Sequence, residues 1–236
     1  MKRIESGVPG FDKTLQGGFP SSSVILLTGA PGTGKTTFAM QSLFHGGRKG
    51  EKGIYMIGMG EPVFKLKRFL SGLSFYDEKL VNDGTISFWD FSRAIDSEWP
   101  NKMLIGMTEF VKKNNPKRIV IDPLPLSINF KSILEYRKYI YTFFATLSQL
   151  EILVLIIGEE SDAPIRQLED YMVDGVISME LKPLNDPSNY GNFLRIKKMR
   201  GTAHAKNFLR LNFTGDGITV EDGAAKILQE ERRHVV

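Results

Sequence analysis

From Val24 to Thr37 the chain reads VILLTGAPGTGKTT, and this stretch leaves little choice of local structure. Gly29-Ala30-Pro31-Gly32-Thr33-Gly34-Lys35-Thr36 has the spacing G-x-x-x-x-G-K-T. The apolar run Val24–Leu27 before it predicts a strand, and Phe38-Ala39-Met40-Gln41-Ser42-Leu43 after it predicts a helix. In that context the motif is a phosphate-binding loop. Glycines let the backbone curl until several N–H groups face one anion, and the helix adds the positive end of its dipole. Lys35 is expected to reach the β- and γ-phosphates, and the Thr36 hydroxyl to ligate Mg²⁺.

The rest of the chain must bury that loop's supports. At 236 residues, length fits one large α/β domain over 1–236, with a loop-rich lead-in at 1–20 and a tail at 224–236. Composition is that of a globular protein, 42% hydrophobic and 25% charged. No apolar run approaches the length of a membrane span, and Met1-Lys2-Arg3 is not followed by an apolar signal core. A cytoplasmic protein without a membrane partner is therefore expected. Absence of cysteine removes disulfides, thiolate metal sites and cysteine nucleophiles together. The net charge of +4 and pI near 9.1 permit a nucleic-acid partner without requiring one.

Residues 4–20 are dense in glycine and proline, with Phe11 and Leu15 as apolar anchors around one expected helical turn. Helical spacing runs from Lys35 to Arg48, from near Pro62 to Leu70, from Lys102 to Lys113 and from Ser132 to Leu150. Lys65, Lys67 and Arg68 read as a solvated helix face. Gly53–Gly58, Thr85–Phe91, Lys117–Asp122 and Ile152–Ile157 read as strands, the last two apolar on both faces. This alternation predicts a mainly parallel sheet covered by helices on each side. Gly175–Leu181, Phe193–Arg200, Phe208–Phe213 and Ile218–Val220 follow with no helix between them, as expected of antiparallel additions at one edge. Asp122 ends an apolar strand; alone it could be a mere strand-end acid, but beside a phosphate loop it is expected to have a magnesium role.

Five segments together carry a resemblance: GVPGFD at 7–12, the phosphate loop, IVIDPL at 119–124, DGVI at 174–177, and KKMRGTAH at 197–204 followed by GITV at 217–220. Over roughly residues 4 to 221 the chain resembles the KaiC-like branch of the RecA-superfamily ATPases, and the KMRGTAH stretch narrows it to that branch. The resemblance implies a RecA-like P-loop core that assembles with itself into rings, typically hexamers, with ATP and Mg²⁺ between subunits. It implies that the loop residues Gly29 to Thr37 bind nucleotide and that Ser71 lies beside it. It implies that Lys198, Met199 and Arg200 reach the nucleotide of a neighbouring subunit, with Thr202 and His204 nearby. Strand alternation agrees that Lys198 and Arg200 share a face, where two cations would stabilise charge on a γ-phosphate.

One departure bears on catalysis. The family's second strand usually ends in paired glutamates before proline, one of which orients the attacking water. Here Met59 and Gly60 take those places, and Glu61 comes one residue late. Neither a thioether nor a hydrogen can position water. A backbone adjustment at Gly58 and Gly60 would be needed to bring Glu61 into a catalytic position. Glu159 and Glu160 are a weaker alternative. The expectation is firm nucleotide binding with weak or absent hydrolysis. An active ATPase remodelling an unknown protein partner, or a DNA-binding recombinase relative, are the alternatives. Against DNA stand six acids between Glu159 and Asp174 with Arg166 as the one base, a segment that would repel phosphate.

Overall fold

The structure, a computed structural model, describes residues 2–58, 62–91, 99–123, 130, 132–158, 164–184 and 188–221. Short strands β1 (Arg3–Ile4) and β2 (Phe19–Pro20) pair antiparallel and bracket a 3-10 turn at Asp12–Leu15. Phe11 and Leu15 are fully buried, and Phe11 meets Phe38 edge-on at 5.1 Å between ring centroids. The lead-in is thus part of the core rather than an appendage.

The elements then alternate: β3 (Val24–Gly29), α1 (Lys35–Arg48), β4 (Gly53–Ile57), α2 (Val63–Leu70), α3 (Glu78–Asn82), β5 (Ile86–Asp90), α4 (Trp99–Asn114), β6 (Arg118–Asp122), α5 (Ile133–Ser148), β7 (Leu153–Ile157) and α6 (Pro164–Met172). Four strands close the described chain: β8 (Gly175–Pro183), β9 (Tyr190–Met199), β10 (Leu209–Thr214) and β11 (Gly217–Glu221). The strand order in the large sheet is β11-β10-β9-β8-β3-β7-β6-β4-β5. The β3 to β7 strands pair in parallel, as expected for strands joined by crossover helices. β9, β10 and β11 add antiparallel at one edge.

The sequence pattern groups β8 with the antiparallel additions, but β8 lies parallel to β3. Helix α6, a crossover not expected from the sequence, returns the chain to the start of the sheet, so the strand direction is kept. In sequence it is hidden within the acid-rich segment 159–174.

Alternate residues of the central strands feed two cores. Ile25, Leu27, Tyr55, Ile57, Val120 and Leu155 pack toward α1, with Phe38, Met40, Leu43 and Phe44. Val24, Leu26, Ile54, Met56, Ile119 and Ile121 pack toward α4 and α5, with Met107, Ile140, Phe143 and Phe144. Both faces are covered, which explains the near-continuous apolar runs of β3, β6 and β7. Gln41 of α1 stitches distant segments together. Its amide nitrogen donates to the carbonyls of Gly7 and Ile218, both at 3.0 Å, and its amide oxygen accepts from the Ile218 N–H at 2.8 Å. Among the described residues no helix is long and apolar enough to cross a membrane.

Candidate functional site

The connection from β3 to α1 lies at the carboxyl ends of the parallel strands, where open α/β sheets bind ligands. Gly29, Gly32 and Gly34 adopt φ of +145°, +82° and +94°. An L side chain disfavours these values, so the loop's path requires glycine. At Gly34 a Cβ would also stand 2.5 Å from the Phe213 ring. The Thr33 hydroxyl donates to the Ala30 carbonyl at 2.8 Å and braces the turn from inside. Gly34 caps α1 with no side chain, so the helix opens toward solvent without an internal acceptor placed over it. Ala30, Pro31 and Gly32 are exposed, and a Cβ on Gly32 would meet nothing within 4 Å. There is room for an anion above the loop. Lys35 folds back over it, its ammonium donating to the carbonyls of Gly29 at 2.7 Å and Ala30 at 2.8 Å.

Asp122, at the end of β6, meets the loop across 86 residues of sequence: the Thr36 hydroxyl donates to its Oδ2 at 2.9 Å. The Tyr55 hydroxyl donates to the same oxygen. A hydroxyl and a carboxylate side by side are hard oxygen donors, the chemistry that suits Mg²⁺. Among the described residues no three His, Asp or Glu side chains gather as a metal cage. Mg²⁺ is commonly held by one or two carboxylates with substrate phosphates and water, so this sparse set fits it. Thr36 and Asp122 would hold the ion, which would supply charge neutralisation at the phosphates.

The second group of expected residues lies elsewhere. In register, Met199 is level with Gly175 and Ile25, whereas Leu194 is level with Met179 and Gly29. Lys198 and Arg200 thus sit at the end of the sheet away from the chain's own phosphate loop, roughly 13 Å along the strands. The Lys198 ammonium donates to the carbonyls of Asp170, Tyr171 and Val173 at 2.9, 2.9 and 2.6 Å. Arg200 donates to the Tyr171 carbonyl at 2.8 Å and lies 3.6 Å from Asp174. Both cations gather where α6 ends, a position the helix dipole favours. Burial, then the charge of Arg200, push the Lys198 ammonium below the ordinary lysine value, against the pull of Asp174 and Asp170.

The Met199 side chain is buried against Gly175, and its carbonyl accepts from the Thr202 N–H at 3.4 Å. Thr202 accepts from Arg3 at 2.8 Å. The His204 Nδ1 lies 2.9 Å from the Ala205 carbonyl, and the ring lines a cavity of about 560 Å³ with Lys13, Thr14 and Gln16. Ser71 caps the end of α2, donating to the Arg68 carbonyl at 2.8 Å, and is exposed. Glu61, with Met59 and Gly60, lies outside the described residues, as do Glu159 and Glu160.

Tyr55 is the site residue that sequence reading missed. Strand parity shows the relation only once β6 is known to lie beside β4. Tyr55 pairs with Val120 and Ile57 with Asp122 in parallel register, so Tyr55 and Asp122 share a face one diagonal apart.

The family described as "ATPase: KaiC" matches residues 4–225. A relative from Methanopyrus kandleri, "UPF0273 protein MK0039", is 29% identical over 250 residues, covering 100% of this chain and 97% of its own length. A "Circadian clock oscillator protein KaiC" from Prochlorococcus marinus is 27% identical over 233 residues. That match covers 93% of this chain and 46% of the clock protein. Among solved structures, the "KaiC-like protein PH0186" of Pyrococcus horikoshii superposes with a TM-score of 0.81 at 30% identity, covering 93% of this chain and 98% of its own. A RecA-type sheet, a glycine loop facing a strand-end aspartate, and a match across nearly the whole chain agree, and the protein belongs to the KaiC family of ATPases.

Proposed function

We propose that the protein binds ATP with Mg²⁺ at the loop Gly29–Thr37, holds it between copies of itself in a ring, and hydrolyses it weakly or not at all. Family membership implies nucleotide binding in a RecA-like fold. The observation that carries the finer reading is the 2.9 Å contact of Thr36 with Asp122 at the mouth of a helix that no side chain caps. It joins the parts that a Mg²⁺–triphosphate needs. Isothermal titration with ATP, with and without Mg²⁺, tests it: saturable binding strengthened by the metal is expected, and no heat with either would end it.

The ring rests on placement. Lys198 and Arg200 lie far from their own loop, so a triphosphate they touch belongs to another copy. Released from the α6 carbonyls, they would supply the cations that a γ-phosphate draws. In a hexamer, each loop would then meet the next subunit's Lys198, Arg200, Thr202 and His204. Sedimentation velocity checks this. Wild type should form a larger species with ATP and Mg²⁺, and the Lys198→Ala, Arg200→Ala pair should shift that species toward monomer. The same size distribution for both proteins, with and without ATP, would refute the interface.

Weak turnover rests on Met59 and Gly60 standing where paired glutamates belong. If Glu61 has no part, Glu61→Gln leaves phosphate release at the wild-type rate. If Glu61 is the base, the rate falls about 10²–10⁴-fold and the active ATPase becomes the better reading.

A further inference from the structure

The geometry points to Tyr55 as a positioning residue for the cation site: its hydroxyl fixes the carboxylate of Asp122 so that the metal-holding oxygens are in place before nucleotide arrives. This rests on the nucleotide and Mg²⁺ reading above and goes beyond it, because the phosphate loop and its strand-end acid make no call on β4.

Tyr55 is 2% exposed and sits in the core that packs against α1, its ring 5.8 Å from that of Phe88. Phenylalanine would fill that space. A buried phenol carries a polar group that must be matched, so its presence costs unless a partner is supplied. The partner supplied is Asp122 Oδ2, which also accepts from Thr36. Two donors on one carboxylate oxygen, arriving from different elements, set the rotation of the carboxylate about its own bond. They are not equivalent anchors. Thr36 belongs to the first turn of α1, beside a glycine loop whose contacts are remade when an anion enters. Tyr55 belongs to the middle of a buried strand flanked by β5 and β6. The hydroxyl on β4 therefore keeps the carboxylate aimed while the hydroxyl on α1 is shared with the ion. Hydrogen bonds of this outer kind tune metal affinity, typically by about 10–100-fold.

The experiment uses the full chain with Phe in place of Tyr55, a non-hydrolysable ATP analogue, and Mn²⁺ as the probe, free Mn²⁺ being counted by electron paramagnetic resonance. For Tyr55→Phe the nucleotide-loaded protein should hold Mn²⁺ about tenfold more weakly than wild type. Binding of the analogue in chelator should stay within twofold. In an Asp122→Asn background the same change should add nothing, because the carboxylate it orients is gone. Mn²⁺ affinity within twofold of wild type, or equal losses in both backgrounds, would overturn the role. A second readout keeps the hydroxyl: 3-fluorotyrosine placed at 55 alone should shift its fluorine resonance when Mg²⁺ is added to the nucleotide-loaded protein, and an unmoved resonance would count against the proposal. If wild type takes up neither analogue nor Mn²⁺, the nucleotide reading itself fails. If wild type binds both and Tyr55→Phe matches it, only Tyr55 loses its assignment.

Discussion

Lys35→Ala should weaken ATP binding by about 10²-fold while leaving the fold intact. To a phosphate the ammonium would make charge-assisted hydrogen bonds, each worth roughly 1.5–3 kcal/mol. At 1.4 kcal/mol per decade, losing one or two of these takes a micromolar complex toward 0.1 mM or beyond. In the structure Lys35 donates to the loop carbonyls of Gly29 and Ala30, and at the exposed Ala30 water can take its place. Thermal unfolding should therefore move little, and the loss should appear in calorimetric titration alone. Retention of wild-type affinity would remove Lys35 from the phosphate site.

The second large effect is on stability, from Gly29→Ala. Gly29 closes β3 at φ +145°, and an added Cβ would stand 2.1 Å from the Met179 carbonyl oxygen and 3.0 Å from the Thr33 hydroxyl. Met179 lies opposite Gly29 in the parallel ladder, so the obstructing atom is fixed by β8 and cannot swing aside. Backbone strain and overpacking each cost about 1–3 kcal/mol, so a loss of about 2–6 kcal/mol is expected, read as a lower midpoint in urea. Gly32→Ala is the matched control. Its φ of +82° disfavours a side chain, but nothing lies within 4 Å, so only a loss of about 1–2 kcal/mol from the backbone is expected. Equal midpoints for the two variants would show that contact with β8 is unimportant.

What could be read from sequence follows from where the information is local. The phosphate loop was legible because glycine, lysine and threonine at fixed offsets carry their own geometry, and the structure places strand and helix on either side of it. β6 and β7 were legible because burial on both faces leaves a run of apolar residues, Ile119–Ile121 and Leu153–Ile157. Asp122 was legible as the first polar residue after such a run. Tyr55 was not, because its role depends on β4 lying next to β6, and no residue near Tyr55 in sequence records that neighbour. The parallel direction of β8 was hidden for a similar reason. It depends on α6, whose Glu169 is fully buried and accepts a hydrogen bond from Tyr136 of α5. An acid used as an interior partner looks, in sequence, like surface. For Lys198 and Arg200 the contacts with the end of α6 were not legible, since that pairing spans about 27 residues of chain.

The central position of β3 has a consequence for how the chain is made. β3 ends at Gly29, yet its two neighbours in the sheet, β7 and β8, come from residues 153–183. The Gln41 bonds to Ile218 close only 177 residues after Gln41 itself. At about 5–20 residues per second, a ribosome needs on the order of ten seconds or more to cover that interval. For most of that interval β3 lacks the neighbours that hold it in the finished sheet. The nascent protein thus carries an apolar strand awaiting partners, and the loop that follows it gains its flanking support only when β7 and β8 have emerged.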